Sequence, residues 1–434
     1  MIKKYTPFLA VFVVLQILFL LLQTGLENYY LRDSFDYMQA ADNFIDEGVF
    51  YAGDLSEAEE IHLYTKIPPG YPLFLTISRL FTDSQLPVMI LQAILSILSA
   101  LLMLKIFGRD RSENLFFVFL ILFIPAQFIY PNLVMSETLF QFSLVLAGWM
   151  LFSYFKTENT RYVWAFQLLL CLGIFIKPVL YLFAFVNLGF FIYLFFRHRV
   201  RLLVISGLVP IIFIIIFSSF NQQKTGKFHV SSIQDVNLID VNLFYFLVQD
   251  EGYDAARATT DSIYQVCDQN TDYNEYSECL NDAAKEILFS RLLEYGIFHI
   301  KGSIRFFIDP GRFDIYNFFG LQEMGEKGLR YRLFLGGVKE VWNYLKEQNT
   351  FILLWIFAIA MINVLKTIGF VFFIFNRRYN LDFRIFLLLL IGTISFATGP
   401  LGASRFALPV ALFILGSAAV QYHHWYQRFI LKKS

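Results

Sequence analysis

A series of apolar stretches, each close to the length a bilayer demands, constrains this chain more than any other feature. They fall at 5–24, 86–107, 114–130, 137–155, 162–176, 179–196, 202–220, 351–375, 383–397 and 406–422. A helix needs about 20 predominantly apolar residues to span the hydrocarbon, so the pattern predicts about ten spans, some at the lower limit. Lipid offers no partner to backbone N–H and C=O groups, so each segment must satisfy its own as a helix. The expected fold class is therefore an all-α polytopic membrane protein. Composition agrees: 16% of the 434 residues are charged, against about 25% in soluble domains. The formal net charge is +0, so no basic field speaks for nucleic acid.

The amino terminus poses a choice. Lys3 and Lys4 precede the apolar run 7–22, as in a secretory signal. No small-x-small cleavage pattern follows, and an uncleaved first span is favoured. Short-loop basic residues then set the orientation. Lys3/Lys4, Lys105/Arg109/Arg111, Lys156/Arg161, Arg197/Arg199/Arg201, Arg377/Arg378/Arg384 and Arg428/Lys432/Lys433 fall on one side of a ten-span count. Positive residues accumulate in the cytoplasm. Both termini are thus expected inside a bacterial-type cytoplasmic membrane. The Lys177-Pro178 break is the weakest boundary, because one long kinked helix reads similarly.

Two long polar segments, 27–85 and 221–350, then face outward together. The division expected is an N-terminal transmembrane module (1–220), a mainly helical extracytoplasmic segment (221–350) and C-terminal transmembrane helices (351–434). Within the first segment, Leu73, Phe74, Ile77, Leu80 and Phe81 make 72–81 an amphipathic interfacial piece. The second holds a helical pair: 255–266, and 279–295 with Leu280, Ala284, Ile287, Leu288 and Leu292 on one stripe. Cys267 and Cys279 lie about 18 Å apart on a straight helix, whereas a disulfide needs Cα atoms within about 7 Å. The turn-like 268–272 between them allows a hairpin, so a disulfide and two free thiols both stay open. Cys171, inside a span, reads as packing.

Several residues have the chemistry of a site at the membrane boundary. Asp33 follows the first span and can act as a base or orient a hydroxyl; most such aspartates are merely solvated. Asp36 lies three residues on and shares a helical face with it, so it can substitute. Glu137 opens the fourth span, where it caps the helix if it does nothing else. Lys177 and Arg405 sit at span ends, where snorkelling to headgroups is the default. Tyr37 and Tyr71 suit packing or an aromatic belt as well as a sugar platform. Arg291, Lys301 and Arg305 in the second segment read as partners of anionic headgroups.

The order of these pieces resembles a known family. Asp33-Ser34-x-x-Tyr37-x-x-x-Ala41, then Gly48, then Lys66-x-Pro-Pro-Gly-Tyr is similar to the first periplasmic loop of the protein-mannosyltransferase and aminoarabinose-transferase superfamily. These are C-type (GT-C) glycosyltransferases. Met135-Ser136-Glu137, Ile176-Lys177-Pro178, the stretch 221–237 with Ser231-Ser232, and Gly402-Ala403-Ser404-Arg405-Phe406-x-x-Pro409 agree in order. The likeness covers about residues 1–240 and 350–425. It implies an inverting transfer of a sugar from a polyprenyl-phosphate donor to a lipid, glycan or protein acceptor outside the membrane. It further implies Asp33, Asp36 and Glu137 as catalytic candidates and Lys66, Lys177 and Arg405 as donor-phosphate ligands. Ser34, Tyr37 and Tyr71 are the substrate-binding candidates it suggests. Ser34 departs from relatives that carry an acid there, which leaves metal use and acceptor class open.

No cofactor is expected, and a divalent metal has no support from HExxH, CxxC or phosphate-cradling motifs in the sequence. Two other readings compete with the transferase. A polysaccharide polymerase or ligase also has many spans and a large outward loop, but need not carry the early Asp33 loop. A transporter predicts ionisable groups near mid-membrane and broken helices in inverted halves, and the spans here hold few charges.

Overall fold

In a computed structural model of the chain, the structure describes residues 6–82, 84–108, 111–321, 339, 343, 346 and 349–430. Lys3, Lys4, Arg109, Lys432 and Lys433 lie outside them. Among the described residues every regular element is a helix. The first module runs α1 (Thr6–Leu26), α2 (Arg32–Glu47), α3 (Gly70–Arg79), α4 (Leu86–Phe107), α5 (Arg111–Ile121), α6 (Ala126–Ile129), α7 (Glu137–Thr157), α8 (Arg161–Ile176), α9 (Tyr181–His198), α10 (Arg201–Gly207) and α11 (Val209–Thr225). The second polar segment contributes α12 (Ile233–Val236), α13 (Phe244–Glu251), α14 (Tyr253–Cys267), α15 (Tyr273–Ser290), α16 (Leu292–Ile308) and α17 (Arg312–Phe318). The last helices are α18 (Thr350–Phe373), α19 (Leu381–Ala397) and α20 (Ser404–Trp425).

Six helical stretches of the described chain are long and apolar enough to cross a membrane: Leu86–Phe107, Glu137–Thr157, Pro178–His198, Arg201–Thr225, Thr350–Phe373 and Ser404–Phe429. This is a multi-pass membrane protein. Ala10–Leu26 and Arg161–Ile176 are apolar but shorter. The expected span at 114–130 is not one helix. Glu113–Ile121 and Ala126–Asn132 meet at 78°, where Pro125 removes a backbone donor and crowds the preceding turn. Counting that pair as one crossing gives seven, so helix length and hydropathy do not by themselves reach the ten of the sequence. At Lys177 the backbone is extended (φ −145°, ψ 118°), as the residue before a proline prefers. Hence α8 and α9 are separate helices rather than one kinked rod.

The bundle is organised around α20, of whose most apolar window 83% is buried, whereas only 17% of the corresponding window of α18 is. α20 packs against α4, α5, α7 and α18. Gly416 makes this possible: a Cβ there would stand 2.3 Å from the Phe107 ring. In the second segment a smaller core gathers Ile239, Phe246, Ala256, Leu280, Ala284 and Phe298. The structure joins Cys267 to Cys279, with Cα atoms 5.6 Å apart, across the turn between α14 and α15. The arm expected at 279–295 is two helices. It breaks at Arg291 (φ −125°, ψ 39°), which ion-pairs with Asp250 and Glu294 rather than pointing to headgroups.

Candidate active site

The first polar segment begins with α2, whose start is fixed locally. The Leu31 backbone N–H donates to Ser34 Oγ at 2.9 Å, and Gly48 in the left-handed region (φ 72°) closes the helix. Ser34 is thereby turned inward, fully buried and 3.3 Å from Met135 Sδ. With α-helical periodicity Asp33 and Asp36 share a face turned away from Ser34, with Tyr37 between that face and the buried side. All three line a cavity of about 1540 Å³. Gly70 seats the rest of the segment, because its α-carbon presses on the end of α8, where a Cβ would meet the Phe175 carbonyl at 2.5 Å. Lys66 stands four residues before this contact and reaches Asp36 Oδ2 at 2.8 Å.

The centre of the wall is an ionic chain drawn from four distant parts of the sequence. Arg405, in the first turn of α20, donates to Asp33 and, through Nε at 2.5 Å, to Glu137 Oε1. Lys177 Nζ donates to the same Glu137 oxygen at 2.6 Å. Glu137 is fully buried, and Asp33 is 43% exposed. Removing either cation would leave a buried carboxylate short of its partners, which is costly. Glu137 thus stands beneath the wall as an anchor for two cations. Lys66, Lys177, Arg405 and Arg32 face the space above against Asp33 and Asp36. Such a surface favours an anionic group while keeping one carboxylate accessible.

Two of the expected contact residues are elsewhere. Tyr71 is fully buried, donates to Gln92 Oε1 at 2.9 Å and packs edge-on against Tyr37 with centroids 4.8 Å apart. Neither it nor Ser34 lines the cavity. Both point back from α2 and α3 into the bundle, so they shape the wall from behind. Tyr37 does reach the cavity but spends its hydroxyl on Ser136 Oγ at 3.0 Å. Cys267 and Cys279 do not line it either.

Residues outside the candidate catalytic and ligand-binding set, two of them the Ser231-Ser232 pair of the resemblance, hold this wall in place. Ser231 Oγ donates to the Lys66 carbonyl at 2.7 Å, and Ser232 Oγ to that of His62 at 2.6 Å. The Ser232 backbone N–H reaches the Thr65 carbonyl at 3.1 Å, and Thr65 Oγ1 shares a 2.8 Å hydrogen bond with His229 Nε2. Together they clasp residues 62–66 to the second polar segment. Burial, with Lys227 beside it, pushes the His229 imidazole down to about 4. Burial would raise the neighbouring Asp235 carboxyl, yet hydrogen bonds from Ser277 and Lys227 hold it below its ordinary range. A brace steadies Arg405 from the other side. The Ser404 backbone N–H donates to Asp309 at 2.7 Å and its hydroxyl to Asp314, which also accepts from Tyr130 at 2.7 Å. Asp309-Pro310-Gly311 has the composition of a turn, and tertiary packing aims it at Ser404. Among the described residues, no group of three or more His, Cys, Asp or Glu side chains is placed to hold a metal ion.

No family model matches this sequence, and no curated protein matches it. Solved structures do. AglB, an archaeal oligosaccharyltransferase from Archaeoglobus fulgidus solved with an inhibitory peptide and a dolichol-phosphate, superposes with a TM-score of 0.51 and 14% identity over 99% of this chain. This chain spans 51% of that protein's length. ArnT from Cupriavidus metallidurans, bound to undecaprenyl phosphate, matches at a TM-score of 0.38 and 13% identity, over 98% of this chain and 79% of its own; so low a score adds nothing to the assignment. The chain shares the fold of that oligosaccharyltransferase over about half of the latter's length.

Proposed function

We propose that the protein is an inverting glycosyltransferase that moves a sugar from a polyprenyl-phosphate donor to a hydroxyl-bearing acceptor at the outer face of a cytoplasmic membrane. The observation that carries the reading is Arg405 bridging exposed Asp33 to buried Glu137 on the wall of a large cavity. The fold it shares with a protein solved around a dolichol-phosphate supports the choice of donor. In this scheme both termini are cytoplasmic and the cavity opens outward.

The chemistry divides over the wall. The acceptor oxygen attacks the anomeric carbon from the face opposite the phosphate, and its proton passes to Asp33. One Asp33 oxygen is held by Arg405, which orients the carboxylate and leaves the other to receive that proton. As the carbon–oxygen bond to the donor breaks, its electron pair stays with the polyprenyl phosphate. That leaving group needs no proton, only positive charge where negative charge grows. Lys66, Lys177 and Arg405 supply it, pre-positioned by Asp36 and Glu137. Asp36, paired to Lys66, serves the donor side rather than the acceptor.

Asp33→Asn tests this directly. Transfer from a polyprenyl-phosphate sugar by the purified protein should fall by about 10²–10⁴-fold, while donor binding persists. Full activity would remove Asp33 from its role. A protein that ignores every monophosphate-linked donor but lengthens glycans from a diphosphate-linked one is a polymerase instead.

A further inference from the structure

The second polar segment, read from sequence as wholly outside the membrane, contains one helix with the wrong surface for water. Along α16, Leu293, Ile297, Ile300, Ile304 and Ile308 recur at helical spacing on one face, with exposures from 40% (Ile308) to 78% (Leu293). The opposite face, Phe298, Gly302 and Phe306, is buried. It packs against α18, α19 and α20, all helices of the apolar bundle. Gly302 sits so close to the α19–α20 turn that a Cβ would stand 1.7 Å from the Gly399 carbonyl oxygen.

The depth of this contact decides what covers the exposed face. Asn363 Nδ2 donates to the Asp309 carbonyl at 2.7 Å, and Thr367 Oγ1 to that of Phe307 at 3.3 Å. Asn363 lies about 20 Å along α18 from Thr350 at 1.5 Å per residue, well inside a span whose own outer face shows Leu354, Phe357 and Met361. On the other limb, the Phe318 ring of α17 packs at a tilt against Phe19, with centroids 5.4 Å apart, within α1 rather than at its end. The hairpin therefore reaches the depth of membrane-spanning residues on both limbs. Lys301 and Arg305, both exposed, flank the apolar stripe along one edge, where long basic side chains can rise to headgroup phosphates.

We infer that Leu292–Phe318 is a re-entrant hairpin set into the membrane from the cavity side, with the Leu293–Ile308 face of α16 against lipid acyl chains. Its tip, Asp309-Pro310-Gly311, is the turn that braces Ser404 beside Arg405, so the bilayer itself supports the candidate site. The inference stands whether or not the proposed transfer is the reaction.

Single cysteines test it in the full chain. A Cys171→Ser background leaves the Cys267–Cys279 bond intact; Ile300→Cys, Ile304→Cys and, as control, exposed Glu286→Cys on α15 are labelled with an environment-sensitive fluorophore in phosphatidylcholine nanodiscs. Acyl-chain doxyl lipid should quench most of the emission at 300 and 304 and little at 286. Unlabelled, the same two cysteines should react slowly with a membrane-impermeant maleimide and the control quickly. Unquenched, fast-reacting positions 300 and 304 would overturn the inference. Disulfide cross-linking of Ile304→Cys between two chains, with no quenching, would assign the face to a second copy and overturn it equally.

Discussion

The two polar segments are both hydrophilic and both placed on one side by the basic short loops, yet the sequence already sets them apart, the first with the catalytic candidates and the second as its cover. Segment 27–85 supplies groups that face the cavity: Asp33, Asp36 and Lys66. Segment 221–321 lines much of the rest of the cavity, with Lys227, Asp240, Glu278 and Lys285 among others, and it also holds the wall. It clasps residues 62–66 through Ser231, Ser232 and His229, and it braces Arg405 through Asp309 and Asp314. The first segment has internal ties, such as Asn43 to the Tyr51 and Gly53 carbonyls, but its 62–66 stretch is also held from the second segment, which has a core and a disulfide of its own.

Breaking the first segment's chemistry should cost most. Arg405→Ala frees Asp33 and strips Glu137 of one cation, and transfer should fall by about 10²–10³-fold, as when a preorganised charge contact is deleted. Arg405→Lys should recover little, since one ammonium cannot fork between two carboxylates. Loosening the clasp should cost less and in a different parameter. With Ser231→Ala and Ser232→Ala combined, two hydrogen bonds worth about 1 kcal/mol each are lost, so the donor KM should rise by up to about 30-fold with kcat little changed. Restoring hydroxyls as Thr at both positions should reverse it; an equal fall in kcat would mean that the clasp merely keeps the protein folded.

Smaller effects separate scaffold from site. Cys267→Ser with Cys279→Ser should lower the stability of the second segment by about 2–4 kcal/mol, read in a melting curve, with transfer by the folded protein nearly unchanged. The least effect is expected from pH. His229 sits near 4 in the folded protein and near 6.5 when exposed. The unfolded clasp therefore binds more protons between those values, so the clasp weakens as pH falls from about 6.5 toward 4. Amide exchange at residues 62–66, corrected for intrinsic rates, should speed up across that window, and His229→Gln should abolish the pH dependence.

How much of this was legible shows best in pairs of neighbours. Asp33 and Asp36 could be put on one face from their spacing alone, and both reach the cavity. Ser34 and Tyr71 belong to the same stretches, and a resemblance between sequences cannot tell them apart from residues one step away. One helical step is a rotation of about 100°, and it turned Ser34 into the bundle. The segment 292–308 shows the opposite failure. Span count and the basic short loops put all of 221–350 outside, and only the packing of 292–308 beside α18 to α20 gives its depth.

Hydropathy is a local property, and it alone determined that this chain is a helical membrane protein, where most of its helices begin and which segments are polar. The chain Asp33–Arg405–Glu137–Lys177 was not decided there. Its members stand up to 372 residues apart, and charges pair through space, so only the tertiary packing of α2, α7, α8 and α20 could bring them to one wall.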